Sequence, residues 1–421
     1  MKRHLTPPIL AAALLLATAP LLQAQTTQIW GVGTGTWDTS SLNWDLATTP
    51  AAWTNGNNAT LSTTGTRTGT ITVAAGGVTV NNVTLNASGS GSPYVYSIGG
   101  ADIGLAGATS TWSIGGATGS QLTVGSVISG SGSLEKIGTR ALILTADNTY
   151  AGTTTISAGS LQLGNGGTSG SVSGNIVANN QLIFNRSDSY TYGGVISGTS
   201  SLTQAGSGTL VLSGANTYAG NTNINAGTLR IDGSLASASI NANTGGTLGG
   251  VGTIANNVNI NTGGTFSPGA SPGLLTIGGN LTLFTGSTTL MEIDGATRGV
   301  GYDGFDVGGV FTAAGALNLE LGADPGTASF LLGSYSSLLL ASNFESVAVS
   351  GSLSGSLDNL GDGLWGGTIG SHTFALTLGA TQLTLDVTAA PIPEPSTYAL
   401  IAGLLGLAGV MIRRRRALAS A

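Results

Sequence analysis

The side chains best suited to chemistry crowd one stretch, residues 291–309, "MEIDGATRGVGYDGFDVGG". It brings together Glu292, Asp294, Asp303 and Asp306 among six glycines. Carboxylates and carbonyls in a glycine-rich loop are the oxygen ligands that Ca²⁺ takes, so Asp294, Asp303 and Asp306 form a candidate calcium set. Ca²⁺ is the only cofactor the sequence suggests. A pair of carboxylates could also protonate and attack a glycosidic bond, which makes a polysaccharide lyase or hydrolase an alternative. A solvated turn accounts for the same residues, because Asp and Gly are turn formers. The other candidate is His372, flanked by Ser371 and Thr373 in a strand-like run. No partner for a nucleophilic triad is identifiable, and no catalytic residue is assigned.

Any such site has to be positioned by an unusual chain. It has 421 residues, of which 70 are Gly and 7% are charged, and it has no Cys. Gly near one in six and so little charge lie far from ordinary domains. Val, Ile and Thr are plentiful and Pro is scarce, which argues for many short strands with tight turns rather than disorder. Without Cys there is neither disulfide nor thiolate metal site. Lys2 and Arg3 lie at the front and Arg413 to Arg416 at the back, leaving six basic side chains against all 18 acidic ones. That body, at about −12, carries no basic footprint for nucleic acid.

Both ends read as membrane signals. Lys2 and Arg3 precede an apolar run from Ile9 to Leu22, and Ala24 stands before Gln25 at a plausible cleavage point. This is the pattern of a secretory signal peptide, and it implies the general secretion machinery. Residues 398–412 form an uncharged segment, short for a span, followed by Arg413, Arg414, Arg415 and Arg416. The arginines should stay cytoplasmic, which agrees with export of the body. Ahead of this segment, Pro393-Glu394-Pro395 keeps the backbone extended.

The body repeats. Residues 127–163, "VISGSGSLEKIGTRALILTADNTYAGTTTISAGSLQL", align without a gap on residues 195–231, "VISGTSSLTQAGSGTLVLSGANTYAGNTNINAGTLRI". The block Asn148-Thr149-Tyr150-Ala151-Gly152 recurs as Asn216 to Gly220. "NTGGT" occurs at 243–247 and again at 261–265. Period-two alternation between Gly, Asn and Ser clusters, with an echo near one coil length, predicts a parallel β-helix. A series of β-sandwiches is the alternative. Four of the six Trp lie between Trp30 and Trp53. They read as a cap on the open end of a solenoid, or as a face for stacking sugar rings.

Two resemblances add to this reading. Pro393-Glu394-Pro395, an apolar helix and an arginine cluster resemble the PEP-CTERM sorting signal of Gram-negative bacteria. The resemblance implies an exosortase-type enzyme that processes the chain near the triplet. The paired stretches look like the autotransporter-associated β-strand repeat of bacterial surface proteins, which implies a right-handed β-helix passenger. A translocator barrel is not evident in residues 330–390, so self-export is not carried over.

The expected organisation is an all-β chain in five parts. They are a signal peptide (1–24), an N-terminal cap with first coils (25–126), a β-helix (127–272), a C-terminal β-rich module (273–390) and a sorting signal (391–421) with a transmembrane helix. The expected role is that of an exported, non-enzymatic envelope or surface protein in adhesion, biofilm matrix or exopolysaccharide association. It would pass through the inner membrane on its C-terminal helix. A permanently inner-membrane-anchored periplasmic protein is a further alternative.

Overall fold

Alternation in the sequence becomes a three-sided solenoid. The computed structural model describes residues 25–46, 49–61, 68–85, 92–270, 272–339 and 342–391. The signal peptide, the PEP triplet, the apolar tail segment and the terminal arginines lie outside these residues. All regular elements among the described residues are β-strands, so none is a membrane-crossing helix.

Each turn of the chain passes over three faces, named here A, B and C in chain order, and lays a short strand on most of them. Face A stacks Ser133–Ile137, Thr154–Ile156, Ile176–Ala178 and Ile196–Ser197 in parallel. Face B stacks Gln121–Val124, Ala141–Leu144, Ser160–Leu163, Gln181–Phe184, Leu202–Gln204 and Thr222–Ile224. Face C is regular from Ser189–Tyr192 through Thr209–Leu212, Gly227–Ile231, Gly246–Gly250 and Thr265–Pro268. Parallel neighbours need a crossover rather than a hairpin, and here the other two faces provide it.

Register keeps like above like. On face B, Leu122, Leu142, Leu161, Leu182 and Leu202 are partners in succession, followed by Thr222, Ile240 and Val258. All are buried. Because side chains alternate across a strand, a one-residue slip on any coil would turn this column outward. The buried columns of the three faces merge into one core running the length of the solenoid.

Both ends are closed. At the front, Trp30, Trp37, Trp44 and Trp53 are no more than 2% exposed, and their ring centroids lie 4.6–5.1 Å apart. Strand Trp44–Leu46 pairs antiparallel with Thr27–Trp30, and Thr49–Ala51 pairs with it in turn. The tryptophans therefore form a cap and present no stacking surface. At the back, the strands after Ser346 turn antiparallel. The strands Ser346–Gly351, Gly355–Gly361, Leu364–Ile369, His372–Leu378 and Gln382–Ala389 pair in sequence, and the last returns to Ala328–Leu338. Phe374, Leu376 and Leu385 fill the space beneath.

Candidate functional site

The carboxylates of residues 292–306 are placed by the last parallel coils. Asp303 is 1% exposed. Its Oδ1 accepts the Gly273 N–H at 2.8 Å and its Oδ2 accepts the Glu292 N–H at 2.8 Å. It thus fastens Gly273 to strand Thr288–Ile293. Burial pushes its carboxyl up to about 7, against the pull of those two donors. Asp306 faces elsewhere: Arg298 donates to it from Nη2 at 2.8 Å and from Nη1 at 3.3 Å. Partial burial raises its carboxyl, but the hydrogen bonds from Arg298 and Ser334 hold it below the usual range. Asp294 is exposed beside Gly322. Among the described residues no group of three or more His, Asp and Glu side chains is arranged to hold a metal ion. An open groove of about 190 Å³ runs past Glu292, Asp303, Arg230 and Ser267.

His372 has partners that the sequence did not reveal. Its Nε2 lies 3.2 Å from Asp324 Oδ1, and its Nδ1 lies 3.3 Å from Ser371 Oγ. The ring ties the turn before strand His372–Leu378 to the Asp324 loop.

Two charged groups escaped sequence reasoning. Lys136 is fully buried on face A, and its ammonium donates to the carbonyls of Ile137, Gly138 and Ala158 at 2.7–3.0 Å. Burial pushes it down to about 8. The signal was present, since alternation puts Lys136 in the inward set with Leu134. Arg186 is 8% exposed and pairs with Asp188 at 2.8 Å and Asp147 at 3.1 Å, while its guanidinium sits 4.6 Å from the Tyr190 ring centre.

Most remaining polar side chains hold coil to coil. Asn148 Oδ1 accepts the Ile128 N–H at 2.9 Å, and Asn216 Oδ1 accepts the Ile196 N–H at 2.9 Å. Tyr150 and Thr154 share a hydrogen bond of 2.6 Å, as do Tyr218 and Thr222. These bonds explain threonines in otherwise apolar columns. On face B, Asn259 donates to Asn241 at 3.0 Å and Asn241 donates to Asn223 at 3.2 Å. A second ladder runs Asn261 to Asn243 to Asn225 at 2.8 Å per step.

Comparison with known proteins agrees with this architecture. The passenger-associated-transport-repeat matches residues 134–163 and 202–231. The PEP-CTERM protein-sorting motif matches residues 391–416. The chain therefore carries two passenger-type repeats and a PEP-CTERM motif. A protein named "Adhesin BmaC autotransporter" from Brucella suis biovar 1 (strain 1330) is 38% identical over 162 residues, covering 36% of this chain. The match spans only 5% of that much longer relative. Repeats and motif together support an exported surface protein sorted through a PEP-CTERM system, which implies processing by an exosortase-type enzyme.

Proposed function

We propose that this chain is a non-enzymatic passenger delivered to the bacterial envelope or surface, working in adhesion, biofilm matrix or exopolysaccharide association. The observation that carries this reading is the combination of passenger-type repeats with the sorting motif at residues 391–416. The likeness to a protein named as an adhesin supports it over the matched part. Export through the general secretion machinery would remove residues 1–24 between Ala24 and Gln25. The C-terminal helix, oriented by Arg413 to Arg416, would hold the chain in the inner membrane until cleavage near Pro393, Glu394 and Pro395. The division into an N-terminal cap, a β-helix, a C-terminal module and a sorting tail belongs to this reading.

The test uses two epitopes, one in an exposed turn of the body and one after Ala421, in a host with an exosortase. Body signal beyond the inner membrane, with the second epitope gone and an intact mass ending near Pro393, is the expected result. Full-length protein retained in the inner membrane would reduce the tail to an anchor.

A polysaccharide-acting enzyme is the second reading, favoured only by the groove beside Asp303 and Glu292. It requires turnover on a polysaccharide panel that Asp303→Asn abolishes without unfolding the protein.

A further inference from the structure

The three faces of the solenoid are not equally charged. Face B runs through twelve parallel strands, from Gly35–Trp37 to Leu281–Leu283, and none of them contains Asp, Glu, Lys or Arg. Face A carries Glu135, Asp306 and the buried Lys136 in its strands, and face C carries Arg230, Glu292 and Glu320. At a strand spacing of about 4.8 Å, the uncharged wall is roughly 50 Å long.

Its central outward row is hydroxyls and amides in register, interrupted by Ile143 and Ile183. Thr70, Ser97 and Thr123 are successive neighbours at one end. Thr203, Asn223 and Asn241 follow further along. In the two asparagine ladders each interior amide spends one N–H and one lone pair on its neighbours. An amide has two of each, so Asn241 and Asn243 each keep one donor and one acceptor on offer. At the front the wall opens into a shallow depression of about 310 Å³ bordered by Thr34, Thr68, Thr70, Ser97 and Thr123.

The geometry points to face B as the docking surface for a neutral, polyhydroxylated polymer, an uncharged polysaccharide lying along the solenoid axis. This rests on the reading of the chain as a glycan-associated surface protein. A polyanion gains nothing from an uncharged wall and is repelled by a body at about −12. A polycation would go to faces A and C, where the carboxylates stand. A second copy of the chain fits less well, because protein interface cores are apolar and the outward row through Thr123, Gln162 and Thr203 offers only Ile143, itself 7% exposed, and Ile183. Ring stacking contributes nothing, since Trp37, Tyr96 and Phe184 on these strands are buried. Binding is therefore a row of weak, repeated hydrogen bonds whose strength grows with the length of polymer engaged.

The test is calorimetric titration of the full-length chain in detergent micelles with laminarin and dextran as neutral probes and alginate as the anionic one. Thr123→Glu and Thr203→Glu place charge on face B, and Thr191→Glu places the same charge on face C. Gln162→Lys serves as a second face-B charge if a glutamate variant fails to fold by circular dichroism. The expected result is binding of at least one neutral glucan, weakened roughly tenfold or more by each face-B charge, unchanged by Thr191→Glu, and no binding of alginate. Neutral-glucan binding that ignores the face-B substitutions would overturn the assignment of the face and leave glycan association standing. No binding of any probe, with a dimer in sedimentation velocity that face-B charges dissolve, would make a second copy the occupant and overturn the proposal. No binding and no dimer would sink both the face and the glycan reading.

Discussion

The two repeat copies, residues 127–163 and 195–231, are identical at 19 of 37 positions and lie on different faces. Register carries Leu134 to Thr154, Ile176 and Ile196 on face A in three full turns, and the chain reaches face B only at Leu202, the counterpart of Leu134. Copy 2 is therefore rotated by one face relative to copy 1. The internal bonds survive the rotation: Asn148 and Asn216 accept equivalent backbone N–H groups, and Tyr150 and Tyr218 make the same hydroxyl bond. What the repeat specifies is a pair of stacked coils, and the faces of the solenoid are interchangeable as supports.

Among the buried positions that differ, one is polar in both copies. Copy 1 has Lys136, which gives its three donors to carbonyls; copy 2 has Gln204, whose amide reaches the carbonyls of Gly206 at 2.9 Å and Gly208 at 3.2 Å. Gly206 is the counterpart of Gly138. The corner demands donors aimed at its carbonyls and does not demand charge.

The comparison can be broken most forcefully at that corner. Lys136→Met strips the donors from three inward carbonyls and should cost about 3 kcal/mol or more, because each buried acceptor left unmade costs about 1–3 kcal/mol. Lys136→Gln should recover most of that loss, as judged by urea midpoints.

Next in size is a pH effect. Folded Lys136 loses its proton near 8, and the unfolded side chain near 10.5. Between those values the unfolded chain holds more protons, so stability rises with pH across the window, by about 3 kcal/mol in full. Below pH 8 the cost of the buried ammonium is constant. The difference between wild type and Lys136→Gln, followed from pH 7 to 10, should show this rise, and Gln204→Lys should add a second one of the same sign. A flat difference would mean that the carbonyls hold the ammonium at its ordinary affinity.

Smaller still is the asparagine plug. Asn148→Ala and Asn216→Ala should each cost about 1–2 kcal/mol, and by similar amounts despite their different faces. Tyr150→Phe and Tyr218→Phe remove one hydroxyl bond each and should cost about 1 kcal/mol, again in parallel. Unequal costs within either pair would show that the faces are not interchangeable.

Much of this was open to reading. The 18-residue echo of "NTGGT" is the local coil length, and the register Asn241 to Asn259 follows it. Period-two alternation marked the short strands. The rotation was hidden because aligning two sequences shows that they are alike, not where on a closed turn each begins. The carboxylates were harder. Asp294, Asp303 and Asp306 look alike in sequence, but hydrogen-bond geometry sends one to backbone N–H groups, one to Arg298 and one to solvent. His372 likewise meets Asp324 only because an antiparallel hairpin folds back over the last coils. The PEP triplet was legible for the opposite reason: it is a linear signal that needs no fold to be read.

The most direct test of the rotation uses engineered cysteines, since the chain has none of its own. Thr203 on copy 2 neighbours Ile183 on face B, whereas a copy 2 stacked on the same face as copy 1 would place it beside Val177. Cysteines at directly paired positions fall within disulfide reach, and cysteines on different faces do not. Under mild oxidation the Ile183→Cys/Thr203→Cys protein should close its disulfide and the Val177→Cys/Thr203→Cys protein should stay reduced. The reverse pattern would contradict the rotated placement and with it the interchangeability of the faces.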